Sequence, residues 1–88
     1  MTLLNREDPS DVVDKARIAA TIQRVLKALG FYKGEVTGVW DEETERAFED
    51  WAGYENFENK IRKDDKVYGS IYRYLINEAR RRGLTVDG

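Results

Sequence analysis

The chain is expected to form an all-α fold, a small three-helix bundle, on two observations. Apolar residues recur at steps of three and four from Val12 to Leu29 and again from Thr44 to Trp51, the spacing that lines one face of an α-helix. Residues that start and stop helices stand at the ends of these stretches, with a glycine-containing segment between them. A third helix near the C-terminus and a short extra helical turn complete the expected bundle.

Asp8-Pro9-Ser10-Asp11 has the form of a helix start, with Asp8 as N-cap, Pro9 at the first helical position and Asp11 near the positive dipole end. Val12, Ala16, Ala19, Ile22, Leu26 and Leu29 then form one stripe, widened by Ile18 and Val25. Gly30 is placed to cap the C-terminus and Phe31 to fold back on the stripe. The first helix is therefore predicted from about Pro9 to Leu29, roughly 30 Å long. Val12-Val13 is a weak helical beginning, because branching at Cβ restricts χ1, so a break near Asp14 is an alternative.

Phe31 to Trp40 reads as a Gly-rich loop in which Gly34 and Gly38 hold positive φ. Between these glycines the chain has room for a short extended piece, too little for an independent sheet. Asp41 is the next N-cap, followed by Glu42 and Glu43 in the first turn. Thr44, Ala47, Phe48 and Trp51 share a face, and Gly53 ends the helix. Residues 55–61 read as the short turn, pinning Phe57 and Ile61 inward. Asp64 or Asp65 caps the last helix, in which Val67, Ile71, Tyr74 or Leu75, and Ala79 share a face. Arg80, Arg81 and Arg82 complement its negative end and Gly83 terminates it. The expected organisation is a flexible segment over residues 1–8, one helical domain over 9–83 and a frayed tail over 84–88.

The 88 residues suffice for one domain with a modest core. With 41% hydrophobic and 36% charged residues, the composition is that of a globular domain rather than a disordered one. Cysteine and histidine are both absent, which removes disulfides, thiolate chemistry and the commonest transition-metal ligand. The net charge of −2 argues against a nucleic-acid partner. No apolar run approaches a membrane span, and the first residues lack the order of a signal peptide. If the domain is exported, its signal belongs to a longer precursor.

Catalytic chemistry is poorly supplied. Ser10 and Ser70 have no histidine to activate them, and the carboxylates lie in solvated, charge-dense stretches. Asp64-Asp65 lacks the spaced oxygen ligands of a calcium loop. No catalytic residue, metal site or cofactor is expected.

The segment from Ile22 to Trp51 resembles the peptidoglycan-binding-domain family of small three-helix modules. The family's first-helix signature falls on Ile22, Gln23, Leu26, Leu29, Gly30 and Phe31, its loop glycines on Gly34 and Gly38, and its aromatic before the second helix on Trp40. Its second-helix pattern falls on Thr44, Ala47, Phe48 and Trp51. Gly53 to Glu58 further resembles a variant branch, similar to a C-terminal module found beside an Ntn-hydrolase-like domain of unknown function. The likeness spans Ala19 to Leu75. Thr37 stands where commoner members have Asp, Asp41 where they have Gly, and Ala52 where a glutamine is frequent.

The resemblance implies a non-catalytic module that binds cell-wall glycan or its peptide stem; the isolated chain is expected to be a monomer. An accessory domain that docks on another protein domain is the alternative. The first role implies an extracellular setting and the second a cytoplasmic one. Candidate contact residues are Tyr32 and Trp40 beside the loop, and Tyr54, Glu55, Asn56 and Asn59 on the turn after Gly53. Each also has a structural reading: Trp40 fills the gap between the first two helices, and Tyr32 joins the core. Glu55, Asn56 and Asn59 can equally satisfy loose backbone groups at a helix end. Tyr68 and Tyr72 are expected on one helix face as part of an aromatic patch with Tyr54 and Tyr74. Arg73 and Arg80 to Arg82 make the last helix locally basic.

Overall fold

A computed structural model describes residues 10–84. In chain order it contains β1 (Val12–Asp14), α1 (Lys15–Leu29), α2 (Glu42–Tyr54), a 3-10 turn (Glu58–Lys60), β2 (Lys66–Tyr68) and α3 (Gly69–Arg81). The fold is mostly helical but not all-α, because β1 and β2 pair as a small antiparallel sheet.

The sheet replaces the predicted first turn of α1 and the predicted beginning of α3. Val12 faces Tyr68, Val13 faces Val67 and Asp14 faces Lys66, so β-branched and aromatic residues sit where strands favour them. The pairing continues past both ends through Gly69 N–H to Asp11 O (2.7 Å) and Lys15 N–H to Asp65 O (2.8 Å). Lys66 Nζ reaches the Asp14 carboxylate at 2.5 Å across the pair. Gly69 lets the Asp11 carboxylate lie close to the backbone, since a Cβ there would push that carboxylate aside. The expected Asp8 cap and Pro9 start lie outside the described residues.

Helix α1 accordingly begins at Lys15, with Asp14 in extended geometry before it. Its buried face is Lys15, Ile18, Ala19, Ile22, Gln23, Val25 and Leu26, while Ala16 is exposed. The step from Val12 to Ala16 was thus not a helical repeat. Gly30 ends the helix at φ +94°, and Phe31 and Tyr32 donate their N–H groups to Leu26 O at 2.8 and 3.2 Å.

Asp41 caps α2 as expected, accepting the Thr44 N–H at 2.9 Å. Thr44, Ala47, Phe48, Trp51 and Ala52 are buried. The helix runs on through Gly53 to Tyr54, and the left-handed residue after it is Asn56, at φ +64°. Asparagine tolerates that conformation better than most residues, which lets Phe57 N–H return to Ala52 O at 2.6 Å. Phe57 and Ile61 then pack against the core, as the pattern predicted.

Neither Asp64 nor Asp65 caps α3. Asp64 instead accepts the Lys66 N–H and the Arg62 guanidinium, and Tyr68 precedes the helix with no side-chain cap. Ile71, Leu75, Ile76 and Ala79 form the buried face. Gly83 is left-handed at φ +82°, and Leu84, expected to begin the frayed tail, donates to Ala79 O at 3.0 Å and packs against the core. Residues 85–88 lie outside the described residues.

Phe48 and Trp51 stack at 5.8 Å between ring centroids, and Ile22, Leu26 and Leu75 are fully buried around them. In the loop only Gly38 has positive φ (+83°). Gly34 is needed for another reason: an added Cβ would lie 2.8 Å from Tyr32 Oη and 2.9 Å from Glu43 Oε1. Gly38→Val faces no collision and should still cost about 1–2 kcal/mol through backbone strain. A urea titration checks this; an unchanged midpoint would show that the loop does not need the left-handed residue.

Candidate functional site

The loop is fixed from beneath by one buried amide. Gln23 points from the apolar face of α1 and is fully buried. Its Oε1 accepts the N–H groups of Thr37 (2.9 Å) and Gly38 (3.0 Å). Its Nε2 donates to Val39 O and to Thr44 Oγ1, each at 2.9 Å. Thr44 Oγ1 in turn donates to Asp41 at 2.7 Å. A continuous polar chain therefore joins the middle of α1, the loop and the start of α2. A buried amide with all its groups engaged specifies one geometry, because any shift leaves a desolvated group without a partner.

The end of the loop is held by a second cluster. Glu45 Oε1 accepts both Trp40 Nε1 (2.7 Å) and Lys15 Nζ (2.8 Å), and Lys15 Nζ lies 5.3 Å from the centre of the Trp40 ring. The ring also meets Phe48 edge-on at 5.4 Å. Partial burial pushes the Glu45 carboxyl up, but the hydrogen bonds from Lys15 and Trp40 outweigh it and leave its pKa below the ordinary value. Trp40 thus fills the gap between the first two helices and also borders a groove. That open groove, about 670 Å³, is lined by Lys15, Ala16, Gly38, Val39, Trp40 and residues 63–65. Val39 is 63% exposed at its edge.

The other sequence-predicted candidates are not assembled there. Tyr32 is only 3% exposed, and its hydroxyl donates to Glu35 O at 2.7 Å. It is a core residue that braces the loop, so its ring offers no face to a ligand. Tyr54 is 68% exposed and lies 5.8 Å from Phe31. Glu55 accepts the Tyr74 hydroxyl at 3.1 Å; burial first, and then this carboxylate, raise the Tyr74 pKa above its usual value. Asn56 and Asn59 are exposed, Asn56 in the turn that ends α2 and Asn59 within the 3-10 turn. Tyr54 and Glu55 border a small pocket of about 200 Å³ with Leu29, Phe31, Trp51, Glu78 and Arg82.

Tyr68 and Tyr72 do not share a helix face. Tyr68 belongs to β2 beneath the Arg62 guanidinium (5.2 Å), and both rings pack partly against the core. Arg73 pairs with Asp11 at 2.7 Å, and Arg81 and Arg82 pair with Glu78. The basic end of α3 is therefore partly neutralised. Among the described residues no group of acidic side chains could hold a metal ion, and no helix is long and apolar enough to cross a membrane.

Lys15, Gln23 and Glu45 were not singled out as functional from the sequence. Gln23 carried a usable signal, a polar amide set within an apolar stripe. Glu45 and Lys15 carried none, because their partners lie on other elements.

Several carboxylates hold their pKa below the usual range: Asp14 beside Lys66, Asp41 through Thr44, Asp64 beside Arg62 at about 2, and Glu78 beside Arg81. A folded-state pKa below the unfolded value contributes stability above the unfolded pKa and loses it as pH falls through the folded pKa. The melting temperature should therefore hold steady down to about pH 5 and fall between about pH 4 and pH 2. A flat profile over that interval would contradict these pairings.

The features define a small helical module in which a loop hydrogen-bonded to a buried glutamine borders a concave surface. The chain belongs to the family described as "Putative peptidoglycan binding domain", which it matches over residues 2–75; this is a family of binding domains, not of catalysts. No curated protein and no solved structure matches the chain.

Proposed function

We propose that this domain is a non-catalytic binding module for bacterial cell-wall peptidoglycan and that it engages the polymer along the groove beside Trp40. The observation that carries this reading is the immobilised Trp40–Val39 edge. Glu45 and Lys15 hold the indole from one side and Phe48 packs on it, while Val39 extends the apolar edge into solvent. Lys63, Asp64 and Asp65 supply a polar wall. A sugar or peptide unit presents just such a mixture of apolar faces and hydrogen-bonding groups, and a preformed surface avoids the entropic cost of ordering a loop on binding. The module then acts outside the cytoplasmic membrane, as a monomer. Tyr54 and Glu55 lie away from this groove and take no part in it.

Co-sedimentation with purified peptidoglycan tests the reading. The wild-type chain should be retained at moderate salt. Val39→Glu and Lys63→Glu, both at exposed positions, should weaken retention about tenfold, a loss near 1.4 kcal/mol, with unchanged melting temperatures. Absence of retention by a folded wild-type chain would overturn the proposal in favour of docking on another protein domain. Equal retention of the variants would remove the groove from it.

A further inference from the structure

We propose that the small pocket beside Tyr54 is a second binding site, for the zwitterionic end of an amino acid, with an ammonium and a carboxylate borne on one carbon. The C-terminal ends of all three helices meet there. Leu29 is the last residue of α1, Tyr54 the last of α2 with Glu55 as its cap, and Arg82 the cap of α3. Helix C-termini carry partial negative charge and favour a cation. Glu55 adds a full carboxylate, and the rings of Phe31 and Tyr54 add apolar wall and π-faces for an ammonium group.

Opposite charge is present in the same small space. Arg82 is anchored to Glu78 at 3.1 Å, which holds its guanidinium at the rim while leaving further N–H donors for a ligand carboxylate. Trp51, which also lines the pocket, is 1% exposed, and its indole N–H has no acceptor among the described residues. The Trp51 ring therefore closes the inner end of the pocket and reports on its occupation, while the ligand carboxylate is left to Arg82. A site that offers a carboxylate and aromatic faces to one charge, and a guanidinium to the other, suits a dipolar ion better than a simple cation or anion. The volume of about 200 Å³ limits the guest to one small residue.

The source of that group rests on the wall-binding reading. A diamino acid within a peptide stem can leave its far end free as ammonium plus carboxylate, whereas a free amino acid would present the same chemistry without the polymer.

The test is a titration of the whole chain with norvaline, N-acetylnorvaline and norvalinamide, followed at the Trp51 indole resonance. Norvaline should give a saturable shift, and each blocked analogue should bind about tenfold more weakly or less, because one charge-assisted hydrogen-bond set is missing. Glu55→Gln should erase the preference over the N-acetyl form and Arg82→Gln the preference over the amide, both in chains that melt like wild type. Equal responses to the three compounds, no response, or variants that keep both preferences would overturn the site. Sedimentation with purified peptidoglycan separates the two readings. If norvaline binds but peptidoglycan is not retained, the pocket stands for free amino acids and the wall reading falls. If peptidoglycan is retained and norvaline gives no saturable shift, the pocket falls and the groove stands.

Discussion

Gln23→Ala is expected to destabilise the domain by about 3–4 kcal/mol, a large share of the stability a chain of this size has. The truncation removes the acceptor of the Thr37 and Gly38 N–H groups and the donor to Val39 O and Thr44 Oγ1. Each bond contributes about 1 kcal/mol net, and buried groups that stay unpartnered cost more than that average. Gln23→Glu separates shape from hydrogen bonding. It keeps the volume and the acceptor oxygen but loses the donor, and it brings a charge into a fully buried position. Both variants should therefore unfold at lower denaturant than wild type, with Gln23→Glu improving as pH falls and the carboxyl protonates. A denaturant titration of Gln23→Ala that loses less than about 1 kcal/mol would show that the loop does not depend on this amide.

Phe48→Ala should cost about 3–5 kcal/mol. Phe48 is 1% exposed and lies between the two indoles, edge-on to Trp40 at 5.4 Å and stacked on Trp51 at 5.8 Å. Its removal opens a cavity at the junction of the core and the groove, so two readouts should move together. The unfolding midpoint should drop, and Trp40 emission should shift to longer wavelength as the indole gains water. A loss below about 1 kcal/mol with unchanged emission would mean that the aromatic cluster is not the centre of the core.

The parts of the fold readable from the residues were those set by local rules. The Thr44–Trp51 face, the Asp41 cap, the Gly30 turn and the inward Phe57 and Ile61 each depend on neighbours within one or two helical turns. The sheet was not readable. Its strands are too short to show alternation, and each gains its meaning from a partner more than fifty residues away, as in Val13 facing Val67. The same long-range pairing displaced the starts of α1 and α3, against the local signals at Val12–Ala16 and Asp64–Asp65. Gly34 was read as a positive-φ glycine because sequence cannot distinguish a backbone requirement from crowding by Tyr32 and Glu43.

The candidate surface was readable only in its apolar members. Trp40 could be placed beside the loop by order alone, whereas Tyr32 could not be assigned to core or surface until its hydroxyl was seen to brace Glu35 O. Tyr54 and Glu55, on the turn after Gly53, were expected to share a contact surface with Trp40 beside the loop. The structure separates them by the length of α2, because Trp40 stands in the loop just before the Asp41 cap and Tyr54 is the last residue of the helix. Lys15 and Lys63 line one groove although they are far apart in sequence, Lys15 following β1 and Lys63 preceding β2.

Amide hydrogen exchange at Thr37 and Gly38 tests the central claim, that a buried glutamine makes the loop part of the rigid core. Thr37 is an exposed residue and would ordinarily exchange fast. Bonded to Gln23 Oε1, both amides should instead exchange as slowly as those of α1, and Gln23→Ala should release them. Fast exchange of both amides in the wild-type chain would contradict the account.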